Sequence, residues 1–330
     1  MIPALSLESR IPQPTGCGVR PLPEATGGLE EALHEPAERF LSRFGKRVRA
    51  SMVDQAFQLA GGTGQAPSEI VEGIELLHAG SLIIDDIEDD SLERRGRPTL
   101  HRELGVSQAI NTGNWMYFRS LEKFGECRSN RNRSGAILKQ VIRTARRCHE
   151  GQALDLSSMV HRLHPSKICS TALSISRLKT GGLTGLASWL GAVSAGAGRT
   201  SCKHFGRFGV HIGIALQMHN DLSELRRFFG GETRCDDLRH ARVTWPWAWA
   251  VEEGRLGRVT QLQAELFGRA RTAKRLRSIA GQLVDLVDHR GEQAIERRLQ
   301  RAVAALSPAV ESVDTLSPVL DQFRTKFSVS

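Results

Sequence analysis

Aromatic residues make up only 5% of this 330-residue chain, with a single tyrosine, and no apolar run reaches the length of about 18 residues that a membrane-crossing helix needs. A membrane span is thereby excluded. The first residues carry no basic segment followed by an apolar core and a small-residue cleavage site, so a cytoplasmic setting is expected rather than secretion. Cys17, Cys127, Cys148, Cys169, Cys202 and Cys235 are widely spaced without a Cys-x-x-Cys pair, which supports neither a zinc ribbon nor a dithiol redox centre. Free thiols in a reducing compartment are the simpler reading.

Charge is not scarce, but it lacks concentration. Lys and Arg total 45 against 36 Asp and Glu, a formal +9, yet the arginines are spread along the chain and are densest at 128–147 and 269–277. No aromatic set interleaves with them and no nucleic-acid motif is present, so no nucleic-acid partner is expected. A small polyanion held by a few well-placed cations is the alternative.

Residues 1–27 hold Pro3, Pro12, Pro14, Pro21 and Pro23 with Gly16, Gly18 and Gly27, show no hydrophobic period, and read as a mobile tail. From Leu29 onward apolar residues recur at helical spacing and nothing alternates at a period of two for long, which predicts an all-α protein. Breaks are expected near 61–67, 96–98, 127–134, 164–166, 181–182, 198–201, 230–235 and 254–257, giving about ten helices. No shift in composition marks a second domain, and 28–330 reads as one unit.

Two acidic groups stand out. Asp85-Asp86-Ile87-Glu88-Asp89-Asp90 closes an apolar helical stretch, and Asp85 and Asp89, four apart, or Asp86 and Asp89, three apart, would repel on one helix face unless a cation sat between them. Clustered oxygen ligands suit Mg²⁺, which fills its remaining positions with water and substrate phosphates. Glu93-Arg94-Arg95-Gly96-Arg97 follows at once, so acids and guanidinium groups adjoin as a diphosphate site requires. Far downstream, in Gln217-Met218-His219-Asn220-Asp221-Leu222-Ser223-Glu224, the oxygen-bearing residues Asn220, Asp221 and Glu224 again share a helix face. Two such faces opposed across a bundle would trap metal ions and a diphosphate. Glu31-x-x-His34 and Glu75-x-x-His78 formally match the pair used by di-iron bundles, but Pro36 puts the first at a helix end.

Taken in order, Gly45-Lys46-Arg47-Val48-Arg49, Leu77 to Asp89, Arg94-Arg95-Gly96, Gln152-Ala153-Leu154-Asp155, Lys179-Thr180-Gly181, Gln217 to Glu224 and Asp237 to Pro246 resemble the motifs of trans-isoprenyl diphosphate synthases, the polyprenyl synthetases, nearest in look to the geranylgeranyl type. The resemblance implies an isoprenoid synthase fold with a central cavity, a homodimer, and Mg²⁺-dependent condensation of an allylic diphosphate with isopentenyl diphosphate. It implies that Lys46, Arg49, His78 and Arg95 hold isopentenyl diphosphate, and that Arg94, Lys179 and Thr180 grip the allylic diphosphate, with Gln217 and Arg242 among the substrate contacts. Asp85, Asp86 and Asp89 would bind metal on one side and Asn220, Asp221 and Glu224 on the other; Asp85, Asp86, Asp89, Lys179 and Asp221 would carry the catalysis.

The match departs from the family pattern in the second motif. Where Asp-Asp-x-x-Asp is usual, this chain has Asn220-Asp221-Leu222-Ser223-Glu224, one negative charge short, and Gly231-Glu232 stands where Gly-Lys is usual. The Asn-Asp opening also resembles a class I terpene cyclase, which ionises the same kind of substrate and closes it on itself, but Ser223 comes one residue early for that motif and position 228 is Phe. The retained Lys46, Arg49, His78 and Arg95 favour elongation. Trp115, Trp189, Trp245, Trp247 and Trp249 could line a cyclising pocket, although core packing is their simpler role. The small residues Gly80 and Ser81 before Asp85 are expected to leave the cavity open to a product of geranylgeranyl size.

Overall fold

The computed structural model describes residues 28–43, 47–127, 133–267 and 271–310; the expected tail at 1–27 and Lys46 lie outside the described residues. Among the described residues, a π-wound turn at Glu30–His34 leads into α1 (Glu35–Ser42), α2 (Val48–Leu59) and α3 (Ser68–Glu88). A hairpin of β1 (Glu93–Arg94) and β2 (Arg97–Pro98) precedes α4 (Leu100–Leu104), α5 (Val106–Glu126) and α6 (Ser134–Ser157). The chain continues through α7 (Pro165–Leu178), α8 (Thr180–Ser194), α9 (Arg199–Phe229), α10 (Asp236–Arg239), α11 (Trp245–Glu252), α12 (Leu256–Leu266) and α13 (Ala273–Leu306). The protein is all-α, and no described helix is long and apolar enough to cross a membrane. The chain divides into two compact units, one of Met1–Arg47 with Glu72–Glu122, the other of Val48–Val71 with Lys123–Ser330.

In the first unit, Leu76, Ala79 and Ile83 recur at helical spacing on α3 and meet Ala37 and Phe40 of α1, Leu100 of α4, and Ala109 and Met116 of α5 in one buried cluster. Each large apolar side chain removed from water there contributes about 1.5–3 kcal/mol. α3 and α5 approach through glycines: a Cβ on Gly80 would lie 2.8 Å from the Gly113 carbonyl oxygen. At the end of α3, Asp90 takes a left-handed conformation (φ 47°) and the Ser91 N–H donates to the Asp86 carbonyl at 2.9 Å, closing the helix. The last acid of the run is thus a terminator. Where the sequence predicts only a break at 96–98, the chain makes a tight hairpin, because Arg95 (φ 56°) and Gly96 (φ 72°) both adopt the positive φ of a type I′ turn.

The second unit is organised by α8, which packs on α2 and on α9. A Cβ on Gly191 would strike the Val53 carbonyl of α2, and one on Gly209 would strike the Thr184 carbonyl of α8. The break expected at Gly181–Gly182 falls instead at Lys179, and both glycines lie inside α8. They are small because a Cβ on Gly181 would come within 3.2 Å of the Val210 carbonyl oxygen, and one on Gly182 within 3.1 Å of Cys148 Sγ. Trp245, Trp247 and Trp249 on α11 are buried, in keeping with core packing.

Gly191→Ala should lower the unfolding free energy by about 1–3 kcal/mol in urea denaturation, the cost of forcing two packed helices apart. Wild-type stability would mean that α2 and α8 do not meet at this point.

Candidate active site

Within the first unit, α3 sorts its three candidate acids by burial. Asp85 and Asp89 are partly exposed and one turn apart, with the Asp89 N–H still donating to the Asp85 carbonyl at 2.9 Å. Asp86 is 2% exposed. Arg94, on the first hairpin strand, holds it by Nε to both carboxylate oxygens (2.9 and 2.8 Å) and by Nη2 to Oδ1 (2.7 Å). Burial nonetheless pushes the Asp86 carboxyl above its usual range, outweighing the guanidinium. Arg95, one residue on, turns elsewhere and donates from Nη1 to the Arg43 carbonyl at 3.1 Å.

Glu75, 3% exposed on α3, faces Arg47 Nε at 3.7 Å, and its charge reaches Arg95. Its partner is a guanidinium. His78, one turn later, is half-buried, and its carbonyl accepts the Ser81 hydroxyl at 2.7 Å. The expectation that Gly80 opens a cavity is overturned, since the Gly113 backbone occupies the space that its side chain would fill.

In the second unit the close α8–α9 packing draws candidate residues into one hydrogen-bonded chain. Thr180 Oγ1 donates to Gln217 Oε1 at 2.6 Å, and Gln217 Nε2 donates to Asp221 Oδ1 at 2.7 Å. The other Asp221 oxygen accepts the Trp245 N–H at 2.9 Å. Asp221 is 5% exposed, and burial pushes its carboxyl up to about 7 in spite of these donors. Beside this chain Lys179 Nζ meets Asp155 Oδ2 at 2.6 Å, and Arg242 Nη1 donates to the Asp155 carbonyl at 2.9 Å, near the end of α6. Arg49 belongs to the same neighbourhood: its charge and that of Lys179 both reach Cys148, whose thiol burial pushes up to about 11.

In the second acidic motif the charge of Glu224 acts on Asp221 and helps to raise its carboxyl. Asn220 is exposed, whereas Glu224 accepts the Asp237 N–H at 3.4 Å and bonds the Cys235 thiol, and burial raises its carboxyl. Arg234 pairs with Asp236 at 3.0 Å, and Glu232 pairs with Arg227 at 3.1 Å.

Among the described residues, no three His, Cys, Asp or Glu side chains are gathered closely enough to hold a metal ion as they stand. The donor chemistry of Asp85 and Asp89, two carboxylates on one partly exposed helix face, fits Mg²⁺. Asp221 and Glu224 fit it less well, because backbone and side-chain donors already occupy them and burial favours their neutral forms.

Sequence reasoning passed over Glu75, Asp155 and Trp245 as site residues. An acid among the apolar residues of α3 was the available signal for Glu75, and the Gln-x-x-Asp motif was the signal for Asp155. Nothing in the sequence marks the backbone N–H of Trp245 as a partner for Asp221.

The Asp221 shift has a consequence for stability. Because the folded state raises its pKa, the contribution of this residue is fully present below the ordinary carboxylate range and is lost as pH rises through about 7. In a chelating buffer, the wild type should lose thermal stability between about pH 5 and about pH 8, and Asp221→Asn, which keeps a carbonyl oxygen for the Trp245 N–H, should lose less. Parallel pH profiles for the two proteins would show that Asp221 does not titrate in this range.

A family model described as polyprenyl synthetase matches residues 30–293, a stretch that runs through both compact units. The chain is 32% identical over 221 residues to geranylgeranyl pyrophosphate synthase 3 of Zymoseptoria tritici, covering 66% of this chain and 58% of that protein, less than two thirds of its length. Its fold matches the crystal structure of a geranylgeranyl pyrophosphate synthase with a TM-score of 0.74 at 21% identity, over 92% of this chain and 93% of the other. A polyprenyl synthase from Caulobacter crescentus, crystallised with calcium and isoprenyl diphosphate, matches with a TM-score of 0.70 at 25% identity, over 86% of this chain and 84% of the other. The fold is that of the isoprenoid synthases, and, with one family model spanning most of its length, the chain belongs to the polyprenyl synthetase family.

Proposed function

We propose that this chain is a Mg²⁺-dependent trans-prenyltransferase that joins an allylic diphosphate to isopentenyl diphosphate, giving a prenyl diphosphate of geranylgeranyl size. The observation that carries this reading is the hydrogen-bonded chain Thr180–Gln217–Asp221, with Lys179 and Arg49 beside it, in a family member whose relatives are named geranylgeranyl and farnesyl diphosphate synthases. The product size rests on those names, since Gly80 no longer argues for it.

In this reading Lys46, Arg49, His78 and Arg95 bind isopentenyl diphosphate, and Arg94, Lys179, Thr180, Gln217 and Arg242 bind the allylic substrate. Lys179 and Arg94 stabilise the negative charge that grows on the diphosphate as the allylic C–O bond breaks. The isopentenyl double bond attacks the allylic cation, and the proton it then sheds passes to the released diphosphate, so no dedicated side-chain base is required. Asp85 and Asp89, with Asp86 once Arg94 turns to substrate, would hold Mg²⁺, and Asn220, Asp221 and Glu224 would form a weaker second set. Bound there, Mg²⁺ would supply further positive charge to the departing group.

Val106, Ile110 and Phe118 are exposed along α5, a row of apolar residues that a second copy would cover in the homodimer we propose. Five described cysteines are free thiols, which agrees with a cytoplasmic setting.

Purified protein with Mg²⁺ and an allylic diphosphate should yield a longer prenyl diphosphate only when isopentenyl diphosphate is added, and Asp85→Ala should abolish that product. A hydrocarbon or terpene alcohol formed from geranylgeranyl diphosphate alone would replace elongation with cyclisation. Light scattering on a sizing column should give twice the chain mass, and Phe118→Glu should shift it toward the monomer. A monomeric wild type would refute the dimer.

A further inference from the structure

Away from the candidate active site, one face of the second unit gathers positive charge. α9 and α13 run antiparallel, and the hydrogen bond from His204 Nδ1 to the Ala305 carbonyl at 2.9 Å sets their register. Seven residues forward on α9 and seven back on α13, about 10 Å along both helices, His211 comes opposite Arg298. Arg301 lies one turn beyond Arg298 on α13, and Arg207 lies one turn before His211 on α9. Arg177, in the last turn of α7, is close enough for its charge to act on the His211 ring, as are Arg298 and Arg301. Gln217 is six residues further along α9, about 9 Å away and a third of a turn round, so this cluster does not share the Thr180–Gln217–Asp221 chain.

The cluster is poorly compensated. Among the described residues, Arg177, Arg207, Arg298 and Arg301 have no ion-pair partner, and Glu252 is the acid whose charge reaches Arg298. Arg298 is half-buried and loses hydration while facing the like charge of Arg301. The Nδ1 atom of His211 is enclosed with no hydrogen-bond partner, and burial with three neighbouring arginines lowers the ring to about 4, keeping it neutral. Like charges gathered about a half-buried arginine are what a multiply charged anion would relieve. Guanidinium forks match tetrahedral phosphate oxygens, and a single carboxylate would leave most of the charge uncancelled.

We propose that Arg177, His211, Arg298 and Arg301 form a binding site for a phosphate-class anion, either a free phosphate compound or the phosphate of a lipid headgroup. Calorimetry of the full chain with inorganic diphosphate, in chelator and at matched ionic strength, should show a saturable component that depends on this cluster. Affinity should fall at least tenfold in the double variant Arg298→Gln/Arg301→Gln and should hold in Arg258→Gln, an exposed arginine outside the cluster. Without anion, the double variant should melt no lower than the wild type, because the repulsion and desolvation it sheds offset the one attraction it loses, that of Glu252 for Arg298.

Cosedimentation with phosphatidylcholine vesicles, with and without phosphatidic acid, separates the two sources. Wild-type binding to the acidic vesicles alone, lost in the double variant, assigns the site to a lipid headgroup; binding of inorganic diphosphate without vesicle binding assigns it to a free anion. Failure of both probes, affinity unchanged in the double variant, or a double variant less stable than wild type without anion would each overturn the proposal.

Discussion

A carboxylate taken out of water must find donors or a proton, and in this protein that requirement organises both units. Asp86 finds the fork of Arg94, Glu75 faces Arg47, Asp221 is met by Gln217 and by a backbone N–H, and Glu224 is met by the Asp237 N–H. The pairings with Arg94, Arg47, the Trp245 N–H and the Asp237 N–H each join a long helix to a short element or loop. The hairpin is tied to α3 in this way, and α10 and the start of α11 are tied to α9. Burial still raises Asp86, Asp221 and Glu224, so the donors reduce the cost of desolvation without cancelling it.

Glycine supplies the complementary constraint. Where backbone carbonyls of α2 and α8, or of α8 and α9, come into contact, only the absence of a side chain allows it. That approach lets Thr180, whose side chain is short, reach Gln217 on the neighbouring helix. Packing and site geometry therefore have the same origin in the second unit.

Helical periodicity revealed the fold class and most of the helix boundaries, because burial on one face leaves a regular trace in sequence. The Asp85–Asp89 spacing was legible for the same reason. What stayed hidden were partners brought together by turns: Arg94 reaches Asp86 only through a hairpin whose strands are two residues long. Glycine was ambiguous in kind. At Gly181, Gly182 and Gly80 a missing side chain reads equally as a break, an open space or a close neighbour, and the third holds at all of them. In the second motif helical spacing placed Asn220, Asp221 and Glu224 on one face, but backbone donors from α10 and the start of α11 meet two of the three.

The type I′ turn at Arg95–Gly96 separates two neighbouring arginines of identical chemistry. Arg94 is committed to a buried carboxylate on α3, and Arg95 to a carbonyl at the end of α1. Position in the turn, and not side-chain identity, divides their labour, so a deletion or insertion of one residue in this hairpin would exchange the tasks of two arginines without changing the composition of the site. Register, in this short segment, carries information that residue type alone does not.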